Sequence, residues 1–446
     1  MRPGTHLSAE TPATRRRLGA LTATLLVVAN MIGTGVFTTT GLLVAEIGSP
    51  LAVLLGWLIG GLLALCGALA YAELAAALPS SGGEFFFLGR IFSPAVGFVA
   101  GWISFVVGFS APIAASALAF GHYLGAIAPG VDAAFAAVVL VLILSALHAM
   151  NVALGAGVQN LFALGKVGLI LLFFVLAVFK GLPESLGNAT GAPAGSALLS
   201  PAFAVGLIFI AFAYSGWNGA VYVAGEVRSP ERSLPLALLA GTGIVVALYL
   251  GLNLVFLTSA PVDRLAGVVE VGHVAAVNLL GERAGSLLSG LIALALVSSV
   301  SAMVMAGPRV YEAIGKEHPV LSILGRRGAR TGPYPAILIQ AIAVVVMVVT
   351  ASFATLLTYI GFTLSLSAGL TVLGVFVLRA REPALPRPYR TWGYPVTPIL
   401  FLLLSAWMIV HALHERPVAG LAGLATVISG WLAYLLVSRL GNRTRA

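Results

Sequence analysis

The sequence predicts an all-α polytopic membrane protein with about twelve transmembrane helices. Three observations carry this. Of the 446 residues, 59% are hydrophobic. Only 9% are charged, where a soluble domain has roughly a quarter. Apolar runs of about twenty residues, each long enough to cross a bilayer as a helix, recur along the whole length. The runs are continuous rather than alternating, which disfavours a strand barrel. No stretch between them is long enough for a separate globular domain.

In chain order, residues 1–20 are polar and basic and read as a tail rather than a cleaved signal, because the first apolar run is a full span with no small-residue cleavage site. Spans are expected over 21–45, 51–76, 95–121, 133–150, 156–179, 201–224, 234–259, 286–311, 335–351, 354–379, 396–413 and 418–438. Segment 80–94 (SSGGEFFFLGRIFSP) is too short and too polar to span and reads as an interfacial helix with an aromatic face. Residues 262–285 form the longest outside loop, with room for short helices, and the Pro-, Arg- and Tyr-rich stretch 381–396 reads as a connector. Residues 439–446 form the second tail.

With the N-terminus in the cytoplasm, nineteen of the 24 lysines and arginines fall on inside segments. Lys180, Arg264, Arg283 and Arg416 fall outside, and Lys166 lies within a span. This bias places both termini inside. It also accounts for the net charge of +9 better than nucleic-acid binding does. The single cysteine, Cys66, lies in an apolar run and can form no intramolecular disulfide. No cofactor and no metal site are expected; His411 and His414 lack a third ligand.

Two spans carry glycines near mid-membrane. The first holds Asn30-Met31-Ile32-Gly33-Thr34-Gly35-Val36-Phe37 and the sixth holds Phe212-Ala213-Tyr214-Ser215-Gly216-Trp217-Asn218-Gly219. Glycine loosens a helix and admits a break. A break frees N–H and C=O groups, which lipid cannot satisfy but a solute cavity can. Glycines at such positions also serve close helix packing. Their register across two halves, helices 1–5 and 6–10, favours a transporter site instead. Half-helix N-termini suit a carboxylate and half-helix C-termini an ammonium, so two broken helices suit an α-amino acid.

At these residues the sequence resembles the amino acid–polyamine–organocation (APC) superfamily, and most of all its L-type amino acid transporter branch with bacterial relatives. The matching stretches are IGTGVF at 32–37, PSSGGEFFFLGRIF at 79–92, VQNLFALGK ending at Lys166, AFAYSGWNGAVYVAGEVRSPERSLPLA at 211–237, SSVSAMVMAGPRVYEAIG at 298–315 and RPYRTWGYPVTPILF at 387–401. The resemblance implies a five-plus-five inverted repeat, 21–179 and 201–379, followed by two further helices in 396–438. It implies alternating access around a central amino acid site. Carried over, Ile32, Gly33, Thr34, Gly35 and Val36 line the carboxylate side. Phe212, Ala213, Tyr214 and Ser215 line the ammonium side, with Phe212 as a gate, and Asn218 approaches the substrate. Animal members use a cysteine in the loop after the third helix to join a heavy chain; 122–132 (HYLGAIAPGVD) has none, so no disulfide-linked heavy chain is expected.

Lys166 lies about ten residues into the fifth span, roughly 15 Å from the nearer end. A lysine at that depth requires partners and marks function by default. The expected acceptors are first-helix carbonyls near Gly33 and the hydroxyls of Ser298, Ser299 or Ser301. The resemblance implies that the ammonium replaces the sodium ion of related carriers, so transport is expected to be sodium-independent, by exchange or by proton symport. The acids lie at loops or span ends, so the side-chain pocket is expected to be uncharged and the substrate a small or medium neutral amino acid. The alternatives are a permease for a cationic amino acid or polyamine, a membrane enzyme, or a channel. The spans lack the polar constellation that an enzyme needs and the polar stripe that a channel needs.

Overall fold

Prolines and their preceding residues mark where several helices start. The structure is a computed structural model that describes residues 18–150, 156–180, 194–317, 319–326 and 333–443. The expected tails therefore lie partly outside the described residues. Helices α1 (Ala20–Met31) and α2 (Gly35–Ile47) form the first span, bent by 42° at the break between them. The second span is α3 (Pro50–Ala77). The short α4 (Gly83–Ile91) leads to the third span, where α5 (Pro94–Ile103) passes through a π-helical stretch, Ser104–Ser110, into α6 (Ala111–Ile127). Ser49 and Ser93 stand directly before prolines, and their hydroxyls accept from the N–H groups of Ala52 and Val96 at 3.4 Å. Each Ser-Pro pair thus caps a helix and pre-sets its first φ.

Spans four and five are α7 (Ala133–Ala149), capped by Asp132, and α8 (Ala156–Lys180). After the single turn α9 (Ala194–Ala197), a third Ser-Pro pair at 200–201 opens α10 (Pro201–Tyr214), which continues as a 3₁₀ segment, Gly219–Glu226. Then come α11 (Pro230–Ser259), the loop helices α12 (Val262–Leu265) and α13 (Val271–Leu280), and α14 (Glu282–Glu317). The remaining spans are α15 (Tyr334–Thr350), α16 (Phe353–Arg381), α17 (Val396–Glu415) and α18 (Pro417–Arg443). Eight of these runs are long and apolar enough to cross a bilayer, and the bent α1–α2 pair makes a ninth. Four shorter apolar helices, in α7, α8, α13 and α15, accompany them among the described residues.

Large apolar side chains point outward, among them Phe179 (84% exposed) and Val178 (79%). In water this would be a liability; in lipid it is the solvated face. The third span holds an irregularity the sequence reading missed. Its π-helical turn is followed by Pro112, which has no N–H to donate back. Within the same stretch the carbonyl of Phe105 takes the hydroxyls of Ser110 (3.2 Å) and Tyr311 (2.7 Å).

On the face that carries residue 18, α4 does not simply lie at the interface as expected. Gly83, Glu84, Phe87, Leu88 and Ile91 are buried against the bundle. The 381–396 connector is tied down beside it. The Glu73 carboxylate, 1% exposed, accepts from Arg379 Nε and Nη2 (2.8 and 2.7 Å) and from the Thr391 N–H and hydroxyl (both 2.7 Å). Arg387 Nε stands 3.5 Å from the same group. Removing one partner of a buried ion pair costs about 3–5 kcal/mol. Arg379 is 23% exposed, so Glu73→Ala is expected near the lower end of that range. Thermal unfolding in detergent reads it as a lower melting temperature; an unchanged curve would show that the cluster contributes nothing. The Arg90–Glu382 pair nearby is exposed and contributes little.

Candidate functional site

Both glycine-bearing stretches are broken. Helix α1 stops at Met31, where Ile32 turns extended (φ −74°, ψ 90°), and α2 starts at Gly35. The residue preceding α2, Thr34, does not cap it; its hydroxyl is 2.5 Å from Ser116 Oγ on α6. The first N–H groups of α2 therefore have no side-chain cap. In the sixth span α10 ends at Tyr214, Ser215 is extended (ψ 151°), and Gly216 has φ +96°. The last α10 carbonyls have lost their helical donors, and that of Phe212 accepts the Ser215 N–H at 2.9 Å in a tightened final turn. The two breaks touch. A Cβ on Gly35 would collide with the backbone of Ala213, and one on Gly216 would lie 2.8 Å from the Asn30 carbonyl oxygen.

Between the breaks lies a cavity of about 110 Å³. The first span lines it with Ala29 to Gly35 and the sixth with Phe212, Ala213 and Ser215. Pro112 and Ser116 come from the third span, Ser299, Ala302 and Met303 from the eighth, and Lys166 from the fifth. Its walls thus offer an uncapped helix N-terminus, a helix C-terminus and one ammonium. A larger hollow of about 410 Å³ between α3 and α17 is lined by apolar groups, Cys66, Phe401 and Trp407 among them. It opens on the outer face of the bundle and offers no site for a zwitterion.

Lys166 is buried, and its Nζ donates to Ser299 Oγ at 2.6 Å. Of the other hydroxyls considered, Ser301 pairs with His148 Nε2 at 3.0 Å, and Ser298 is buried away from the cavity lining. A first-helix carbonyl at the break, Met31 O, takes the Tyr249 hydroxyl at 2.5 Å. Among the residues expected at the substrate, Ile32, Gly33, Thr34, Gly35, Phe212, Ala213 and Ser215 line the cavity. Val36 is fully buried behind it. The Tyr214 hydroxyl donates to Trp57 O at 3.0 Å, inside an aromatic cluster with Tyr249. Asn218 is turned away: its Nδ2 donates to Glu84 Oε1 at 3.1 Å.

Sequence reasoning missed Ala29, Asn30, Met31, Pro112, Ser116, Ala302 and Met303 as lining residues. It also missed Glu84, a buried acid facing the bundle from α4. The third-span residues carried one faint signal, a serine and a proline inside an apolar run. For Glu84 the signal was a single acid set into the aromatic face of a stretch otherwise read as interfacial.

Residues 18–438 match the family described as amino acid permease. The chain is 29% identical over 439 residues to the large neutral amino acids transporter small subunit 2 of Homo sapiens, covering 95% of this chain and 81% of that one. It is 27% identical over 440 residues to the b(0,+)-type amino acid transporter 1 of Homo sapiens, at 96% and 89% coverage. It is 26% identical over 436 residues to the Asc-type amino acid transporter 1 of Mus musculus, at 95% and 81%.

Proposed function

Because the chain belongs to the amino acid permease family, we propose that it is a secondary transporter of small neutral L-amino acids, working by alternating access. The observation that carries this is the pair of broken helices facing one cavity. The uncapped start of α2 suits a substrate carboxylate. The end of α10 suits its ammonium. The relatives, named as amino acid transporters, support the same substrate class. A volume of about 110 Å³ favours a small side chain, since drug-sized pockets hold about 300–1,000 Å³.

Charge argues against the cationic alternative. Among the described residues the ionisable side chain lining the cavity is Lys166, and no carboxylate lines it. A second cation would face like charge in a medium of low dielectric. Transport is sodium-independent in this reading, with the Lys166 ammonium tying the fifth span to the eighth where a sodium ion would otherwise serve. The two breaks occupy matching positions of an inverted repeat, helices 1–5 against 6–10. The charge bias puts both termini in the cytoplasm. No disulfide-linked heavy chain is required, because Cys66 sits within α3.

The test is uptake of radiolabelled alanine or serine into proteoliposomes, with and without internal substrate, with sodium or choline outside, and with and without a proton gradient. Saturable uptake indifferent to sodium is expected, competed by small neutral amino acids and not by arginine or putrescine. Sodium-dependent uptake, or tight competition by arginine, would overturn the assignment.

A further inference from the structure

Glu84 is a carboxyl group 5% exposed, and the transport site does not use it. Three neutral donors converge on it from three spans. The Tyr71 hydroxyl on α3 donates to Oε1 at 2.6 Å, Asn218 Nδ2 at the sixth-span break donates to Oε1 at 3.1 Å, and the Ser367 hydroxyl on α16 donates to Oε2 at 3.1 Å. Among the described residues no cation lies within ion-pair distance of it. The basic groups on the elements packed around it are committed elsewhere. Arg90 pairs with Glu382, Arg379 with Glu73, and Arg381 donates to Ile91 O at 2.8 Å. The other titratable neighbours are the hydroxyls of Tyr71 and Tyr222.

Two further features fix this carboxyl to the moving part of the site. Gly82 and Gly83 adopt φ +121° and +56°, and a Cβ on Gly83 would lie 2.7 Å from the Tyr222 ring. Only glycine lets α4 enter this close to the 3₁₀ segment. Ser81 Oγ also accepts the Gly225 N–H at 3.0 Å. The 3₁₀ half of the sixth span is therefore stitched to the α4 hairpin at both ends, by Ser81–Gly225 and by Glu84–Asn218.

We propose that Glu84 is a proton-binding site that latches the 3₁₀ half of the sixth helix to α4 and α16, so that opening of this face and release of a proton are linked. The proposal rests on the transporter reading and on this face being cytoplasmic. Burial raises the Glu84 pKa above the ordinary carboxyl range, and the bonds from Tyr71, Ser367 and Asn218 offset part of that rise. The sign follows. A group that holds its proton more firmly when packed than when wetted favours the packed arrangement at low pH. That preference is lost as pH rises through the raised value. Opening wets the carboxyl, which passes its proton to water.

Trp217 supplies a readout that needs no transport, because its ring packs edge-on against Tyr71 at 4.7 Å. Tryptophan emission of the purified full-length protein is expected to titrate with a midpoint above the free Glu value of about 4.3. Glu84→Gln and Trp217→Phe should each abolish the transition. Tyr71→Phe removes a donor to the ionised form and should move the midpoint up by about one pH unit. In proteoliposomes, exchange by Glu84→Gln should lose the pH-dependent limb found in this range for the wild type. An unchanged emission titration in both Glu84→Gln and Tyr71→Phe overturns the proposal. Absence of amino acid uptake by the wild type at every pH overturns the transporter reading instead, and the emission titration still decides whether Glu84 binds the proton.

Discussion

Lys166→Ala is expected to lower amino acid uptake by more than about tenfold while the protein still purifies as a folded monodisperse species. The reasoning runs from depth to charge to geometry. An ammonium inside a span persists only with a partner. Here it donates to Ser299 across the gap between α8 and α14, at the wall of the cavity formed by the broken first helix. A hydrogen bond to a charged group is worth about 1.5–3 kcal/mol, or roughly ten- to a hundredfold in an equilibrium. Losing it frees the eighth span from the fifth beside the cavity. Ser299→Ala should weaken transport less, because the charge stays and water can replace the hydroxyl. The measurement is initial uptake at saturating substrate, with melting temperature as a folding control. Uptake by Lys166→Ala within twofold of the wild type would remove Lys166 from the mechanism.

Gly216→Ala is expected to impair transport by at least about tenfold and to lower the melting temperature, for two separate reasons. Its φ of +96° belongs to glycine, and an L side chain there costs about 1–3 kcal/mol. The added Cβ would also meet the Asn30 carbonyl oxygen at 2.8 Å, at the point where the two broken helices touch. The contrast is Gly243→Ala in α11 or Gly290→Ala in α14, where nothing lies within 4 Å of the added Cβ and the backbone is helical. Those changes should be neutral or slightly stabilising, because alanine favours a helix interior by about 1 kcal/mol. Equal losses at Gly216 and Gly243 would mean that helix flexibility in general, rather than this contact, governs transport.

Much of the architecture was legible in the sequence because lipid leaves few options. Each apolar run long enough to cross had to be a helix, and the two glycine-bearing stretches that are broken, at 30–37 and 212–219, stood at matching places in the chain. The expected spans fall within a few residues of the observed helices, for example 51–76 against Pro50–Ala77 and 354–379 against Phe353–Arg381. Lys166 stood out for the same reason, as a charge where none is tolerated without cause.

Asn218 and Glu84 mark where that legibility ends. Along the chain they are 134 residues apart, and neither periodicity nor composition pairs them. Sequence alone determined the elements, the two breaks and the presence of a buried charge, since each follows from the cost of a polar group in hydrocarbon, which is paid locally. The choice of Ser299 for Lys166, the turn of Asn218 toward Glu84, and the contribution of Ser116 and Met303 to the cavity were settled only when the helices packed. Such contacts depend on rotation and tilt of one helix against another, which are set by side-chain interlocking across the bundle.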